Sequence, residues 1–278
     1  MQWIASAQAP PAPVAGLDIG DDAVRIVELS PAPDGWRLAA SARVALPAGA
    51  MRDGRCRHEE AVVGTIVDAW HHASCVAEQV VLALPAAQCV LGLRRLPARA
   101  RRRLAAAAAR RLVPPGGGYC LDYQFVASSP GQVTALLCAA PRDAVEERVA
   151  LAEQAGLATL AVDIDCLALL RAARLGWPGQ ATALLALDAA VWRLTRLGAA
   201  ETPAACAAVR EARLPAELLR RLAAWAPTRV LLNADDAPEL APALAAACGI
   251  EVRAIAAPAA GAPGFALACG LAQWQESR

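Results

Sequence analysis

Apolar runs of strand length alternate along this chain with segments of helical period, and the alternation occurs in both halves. It predicts a mixed α/β fold. Val14-Ala-Gly-Leu-Asp-Ile-Gly20 and Ala23-Val-Arg-Ile-Val-Glu-Leu29 flank Asp21-Asp22, which is a hairpin pattern. A third strand is expected over 36–46. Val62, Val63, Ile66, Val67 and Trp70 carry a helical period over 59–75. Strands follow at 80–84 and 89–96, then a helix over 97–113 that Pro114-Pro115-Gly-Gly-Gly118 stops. Strands at 122–126 and 133–139 precede a helix over 143–155, closed by Gly156. A strand at 158–162 leads to a helix over 166–175.

Gly176-Trp-Pro-Gly179 marks the best boundary between the halves. Beyond it, strands are expected at 182–188, 191–197, 230–232 and 251–255, with helices over 215–225, 238–248 and 265–274. The domain reading is a flexible tail over 1–13, a first domain over 14–177 and a shorter second domain over 180–278.

Charge is balanced, 27 basic against 26 acidic residues, so the global field gives no argument for nucleic acid. Every basic residue is arginine. With no lysine, the Walker-type phosphate loop, Schiff-base chemistry and kinase-type lysine chemistry are excluded. Nine cysteines lack metal-ligand spacing and read as small buried hydrophobes in a reducing compartment. His71-His72 with Cys75 is better read as a helix surface than as a metal site. The uncharged stretch over 254–274 is broken by Pro258 and Pro263, which predicts a loop and a buried helix rather than a membrane span. The helix over 97–113 gathers Arg99, Arg102, Arg103 and Arg110 on one face. A solvated face is the default reading. Attraction to anionic lipid or to an acidic partner is the functional one.

Both halves open alike, with Leu17-Asp18-Ile19-Gly20 and Ala186-Leu187-Asp188-Ala189. In an actin-like ATPase two such hairpins clasp the nucleotide phosphates, glycines admitting backbone amides and aspartates organising metal and water.

Here the chain resembles the PilM family. The resemblance is carried by Gly16-Leu-Asp-Ile-Gly20, Val24-Arg-Ile-Val-Glu-Leu-Ser30, Val80-Val-Leu-Ala-Leu-Pro85, Leu121-Asp-Tyr-Gln-Phe125, Val162-Asp-Ile-Asp165 and Ala268-Cys-Gly-Leu-Ala272, in that order. It is dense over 15–175 and sparse over 180–278. It implies an actin-like (ribonuclease H-like) two-domain fold with a small subdomain inserted at about 78–157 and a reduced second half. It implies a role in type IV pilus assembly at the cytoplasmic face of the inner membrane. The partners implied are the N-terminal tail of an inner-membrane PilN-like protein, bound in a groove beside the inserted subdomain, and the pilus motor and platform proteins. An anionic membrane surface is a further candidate.

The departures concern the nucleotide. Gly20-Asp21-Asp22 lacks the hydroxyl residues of relatives. Asp188 is followed by Ala189-Ala190-Val191-Trp192 without glycine, and Trp192 is expected to fill phosphate space. Leu232-Asn233-Ala234-Asp235-Asp236 has lost the glycines under the adenosine. Residues 198–228 leave room for one or two helices where relatives carry a subdomain. Asp18, Gly20, Asp21, Asp188 and Asn233 are therefore read as a degenerate nucleotide site of a pseudo-ATPase scaffold. No catalytic residue, metal or cofactor is expected, with residual ATP and magnesium binding left open. An active pilus ATPase and a cytoplasmic component of a type II secretion platform are the alternatives.

Overall fold

Val14–Ile19 (β1) carries apolar side chains on both faces and folds as a central strand, as a buried run requires. In this computed structural model the described residues are 13–274, except 34, 115, 174, 176–177, 179, 189–190, 199–203, 211–215 and 256–263; for 188 and 204–210 only the backbone is described. The expected tail and most of the expected boundary lie outside them.

β1 pairs antiparallel with β2 (Ala23–Ala32), and β2 with β3 (Gly35–Ala45). The hairpin β4 (Met51–Arg52) and β5 (Arg55–Cys56) turns at Asp53-Gly54, both at positive φ. Helix α1 (Glu59–Ala73) buries Val62, Ile66 and Ala69 against this sheet and ends at Ser74 in the left-handed region. Strand β6 (Gln79–Leu84) joins β1 in parallel.

An antiparallel unit then interrupts the sheet: β7 (Val90–Pro97), helix α2 (Arg101–Ala109), β8 (Tyr119–Ser129) and β9 (Gln132–Pro141), in the order β7-β9-β8. Helix α3 (Arg142–Gln154) returns the chain to β10 (Ala158–Ile164), which pairs parallel with β6 and completes the order β10-β6-β1-β2-β3. Helix α4 (Asp165–Ala172) follows.

The second half repeats the plan. β11 (Thr182–Asp188), β12 (Val191–Leu197) and β13 (Ala204–Arg210) form an antiparallel meander. After α5 (Ala216–Trp225), β14 (Arg229–Asn233) joins β11 in parallel. After α6 (Ala237–Cys248), β15 (Glu251–Ala254) joins β14, giving β13-β12-β11-β14-β15. Two sheets with the same strand plan, one carrying an insertion, define an actin-like fold.

Three expectations need correcting. The basic helix is shorter than 97–113 because Ala100 is left-handed, so Arg99 precedes α2. The β4–β5 hairpin was not expected, although Asp-Gly is the dipeptide its turn demands. Residues 198–228 hold a strand, β13, besides a helix.

The last helix, α7 (Ala266–Ala272), returns to the first half and is buried except at half-buried Leu267. Glycines let it in. A Cβ on Gly16 of β1 would lie 2.0 Å from the Ala268 carbonyl oxygen, and one on Gly270 would lie 1.8 Å from that of Ala168 in α4. Gly270→Ala is expected to cost about 3 kcal/mol or more by overpacking two backbones that have no room to give. A urea midpoint within error of the parent's would show that α7 can shift.

Candidate functional site

The two hairpins face each other across a cleft lined by Asp18, Gly20 and Asp21 from the first sheet and by Ala186, Arg193, Asn233 and Asp235 from the second. Four of the five residues singled out from sequence thus converge. Asp188 ends β11, and its side chain lies outside the described residues.

Sequence reasoning missed the arginines. Arg25 sits opposite Asp18 in the β1–β2 register. Its buried guanidinium approaches Asp18 at 3.9 Å, Asp22 at 3.2 Å and Asp235, from the other half, at 3.5 Å. Arg43 reaches Asp22 at 2.6 Å and Asp235 at 3.8 Å. Arg193 approaches Asp21 at 3.7 Å, again across the halves. Arg148, from α3, donates to the Ile19 and Gly54 carbonyls, each at 2.8 Å, and so pins the first hairpin to the β4–β5 turn. Gly264, at φ +89°, admits Asp235: a Cβ there would lie 1.9 Å from Oδ1.

The groups expected at a phosphate are engaged within the chain. The Gly20 N–H donates to the Ala23 carbonyl at 3.0 Å, closing its own turn. The Asp21 carboxylate accepts from the N–H groups of Asp53 at 2.9 Å and Gly54 at 3.0 Å. Trp192 does not fill phosphate space as expected. It is buried in the core under α5, and alternation along β12 brings Arg193 to the cleft instead. The remaining cavity is about 60 Å³, against roughly 300–1,000 Å³ for ordinary small-molecule sites. Among the described residues no cluster of histidine, cysteine or carboxylate suits a metal ion, and His71 and His72 are exposed at the end of α1.

Burial sets the electrostatics. It pushes the Asp18 carboxyl above its ordinary range, against the pull of Arg25, Arg148 and Arg193. It lowers Arg148. Asp165, at the start of α4, is pushed up to about 6 by burial, although it accepts from the N–H groups of Ala86 at 2.9 Å and Cys166 at 2.6 Å. A raised carboxyl favours the fold at low pH, and that advantage is lost as pH rises from about 4 through about 6. Asp165→Asn keeps an acceptor oxygen without the charge. It is expected to gain on the order of 3 kcal/mol at pH 8 and nothing at pH 4. Parallel melting curves at the two pH values check this, and an equal shift at both would contradict it.

A second, larger concavity lies beside the inserted unit. It measures about 830 Å³. Its floor holds Leu136, Cys138 and Ala140 of β9. One wall is β8 from Cys120 to Phe125, and the other is β10 from Ala161 to Ile164 with Leu167 and Arg171 of α4. Both walls are sheet edges: β8 is outermost in the β7-β9-β8 order, and β10 is outermost in its own sheet. Arg101 stacks over Phe125 at 5.1 Å on the rim, and Arg171 is ion-paired to Asp163 opposite.

With this geometry in place, the comparisons with known proteins agree. The sequence model of the family described as type IV pilus assembly protein PilM matches residues 16–183, more than half of the chain. The structure of a PilM–PilN type IV pilus biogenesis complex aligns with a TM-score of 0.74 at 21% identity, covering 95% of this chain and 98% of that one. The ethanolamine utilization protein EutJ from Carboxydothermus hydrogenoformans aligns at 0.55 and 11% identity, covering 96% and 91%. No curated protein sequence matches the chain. The fold is that of the actin-like proteins. The chain belongs to the PilM family of type IV pilus assembly proteins.

Proposed function

We propose that this protein is a scaffold of type IV pilus assembly that binds an extended peptide, the N-terminal tail of a PilN-like inner-membrane protein, and joins it to the pilus motor and platform proteins without turning over ATP. Its place would be the cytoplasmic face of the inner membrane. Among the described residues no helix is long and apolar enough to cross a membrane, and the inner-membrane partner would supply an anchor.

The groove of about 830 Å³ between the open edges of β8 and β10 carries this reading. An exposed sheet edge offers a ladder of unpaired N–H and C=O groups to an extended chain, with side-chain pockets between. Membership in the family supports the choice of partner, and the similar solved structure is itself titled a PilM–PilN complex. The absence of turnover is supported by the cleft, whose aspartates face arginines of the same chain where a nucleotide would need them free.

Fluorescence anisotropy with a labelled peptide from the cognate tail tests the first part; micromolar or tighter saturable binding is expected. Titration with a fluorescent ATP analogue and magnesium tests the second. No saturation is expected up to about millimolar, an affinity of only ~4 kcal/mol. Micromolar binding abolished by Asp18→Ala would make the cleft a working nucleotide site.

A further inference from the structure

We propose that the outer face of the inserted antiparallel unit is a docking surface for an anionic lipid bilayer. The face borders the peptide groove and shares Arg101, Arg102 and Leu121 with it, but the inference does not need the groove's proposed occupant.

Its basis is a segregation of charge. From residue 79 to residue 121 there is no carboxylate, and there are eight arginines, all between 94 and 111 and all exposed. With these eight set aside, the chain keeps 19 basic against 26 acidic residues, so a chain of net charge +1 carries its positive charge on one small unit. Among the described residues none of the eight has a carboxylate partner.

The fold does not call for them. Helix α2 opens on Arg101, Arg102 and Arg103, with no acidic residue in its first turn and no side chain capping it. Cations at the positive end of the helix dipole cost stability rather than add it. The packing of α2 is carried by Ala105, Ala108 and Ala109, with Leu112 just beyond its end. Eight exposed arginines without a carboxylate partner among the described residues, three of them at an unfavourable place, answer to something outside the chain.

The shape of the patch selects a bilayer. The charges come from β7, from the turn before α2, and from both ends of that helix, which spans roughly 13 Å. They are spread over a strand, a turn and a helix rather than gathered into a slot for one anion, and of the eight only Arg101 and Arg102 line the groove. It also has an apolar element. Val90 and Leu121, each 40% exposed, both lie opposite Ala139 in the sheet. The next row on the same face is Gly92, against which Leu112 packs, immediately after Arg110 and Arg111. Exposed aliphatic side chains beside arginines suit the boundary between headgroups and acyl chains. A nucleic acid has use for the arginines and none for Val90 and Leu121.

The test is co-sedimentation of the full chain with vesicles of phosphatidylcholine alone and of equal parts phosphatidylcholine and phosphatidylglycerol. Binding is expected only to the anionic vesicles and should weaken as salt is raised. A variant with Arg99, Arg103, Arg110 and Arg111 changed to glutamine avoids the residues lining the groove. It should lose binding by about a hundredfold or more, each cation near such a surface contributing roughly a fivefold factor. The same four changed to lysine should bind like the parent, which separates lost charge from lost fold. Equal sedimentation with both vesicle types would overturn the proposal, as would parental binding by the glutamine variant. So would tighter binding to duplex DNA than to the anionic vesicles, which would assign the face to nucleic acid.

Discussion

Arg25→Ala is expected to lower the melting temperature by roughly 10 °C at neutral pH. The Arg25 side chain is only 6% exposed and stands among Asp18, Asp22 and Asp235. Its removal leaves Asp18, already pushed up by burial, without the nearest cation. Breaking a buried pair from one side typically costs about 3–5 kcal/mol. A chain of this size loses on the order of 2–4 °C per kcal/mol. Asp235 is half exposed, so Asp235→Asn should cost under about 1 kcal/mol in solvent-screened surroundings. Adding Asp18→Asn to Arg25→Ala should recover part of the loss, because the stranded charge goes with it. Calorimetry on the three variants decides. If Asp235→Asn alone costs as much as Arg25→Ala, the bridge across the cleft, rather than the buried pair, holds the halves together.

This network shows where sequence reasoning ran out. The hairpins β1–β2 and β11–β12 were legible because apolar runs meet aspartates at their turns, and the pattern needs no distant contact. Strand β13 was not. Ala204-Ala-Cys-Ala-Ala-Val-Arg210 has no alternation and is rich in a helix-forming residue, so its pairing with β12 decides its conformation. Trp192 was assigned to the wrong face, although the period of two along β12 was enough to send it inward and Arg193 to the cleft. Arg148 carried no signal at all: it comes from α3 and reaches carbonyls of residues 19 and 54. The groove was expected beside the inserted unit, but its walls could not be named. Edges of sheets bind through backbone groups, and a backbone edge leaves no side-chain motif to read.

The same argument fixes the sharpest test of the groove. Ala161 lies on β10 in its wall, half-buried, and also packs against the cluster of Val81, Ala83, Ala168 and Leu271. Ala161→Trp adds bulk to that wall without touching the arginines of the cleft. It is expected to weaken the tail peptide by about thirtyfold, near 2 kcal/mol, the size of a lost hot-spot contact. An unchanged circular dichroism spectrum would show that the fold survives. Asn233→Ala, in the cleft, should leave peptide affinity as it is. The reverse outcome, with Asn233→Ala weakening the peptide and Ala161→Trp binding it normally, would move the partner to the cleft. The arginine–aspartate contacts there would then have to open for it, and Arg25→Ala should bind the peptide more tightly than the parent. If the groove is the site, Arg25→Ala should lose stability and keep its affinity.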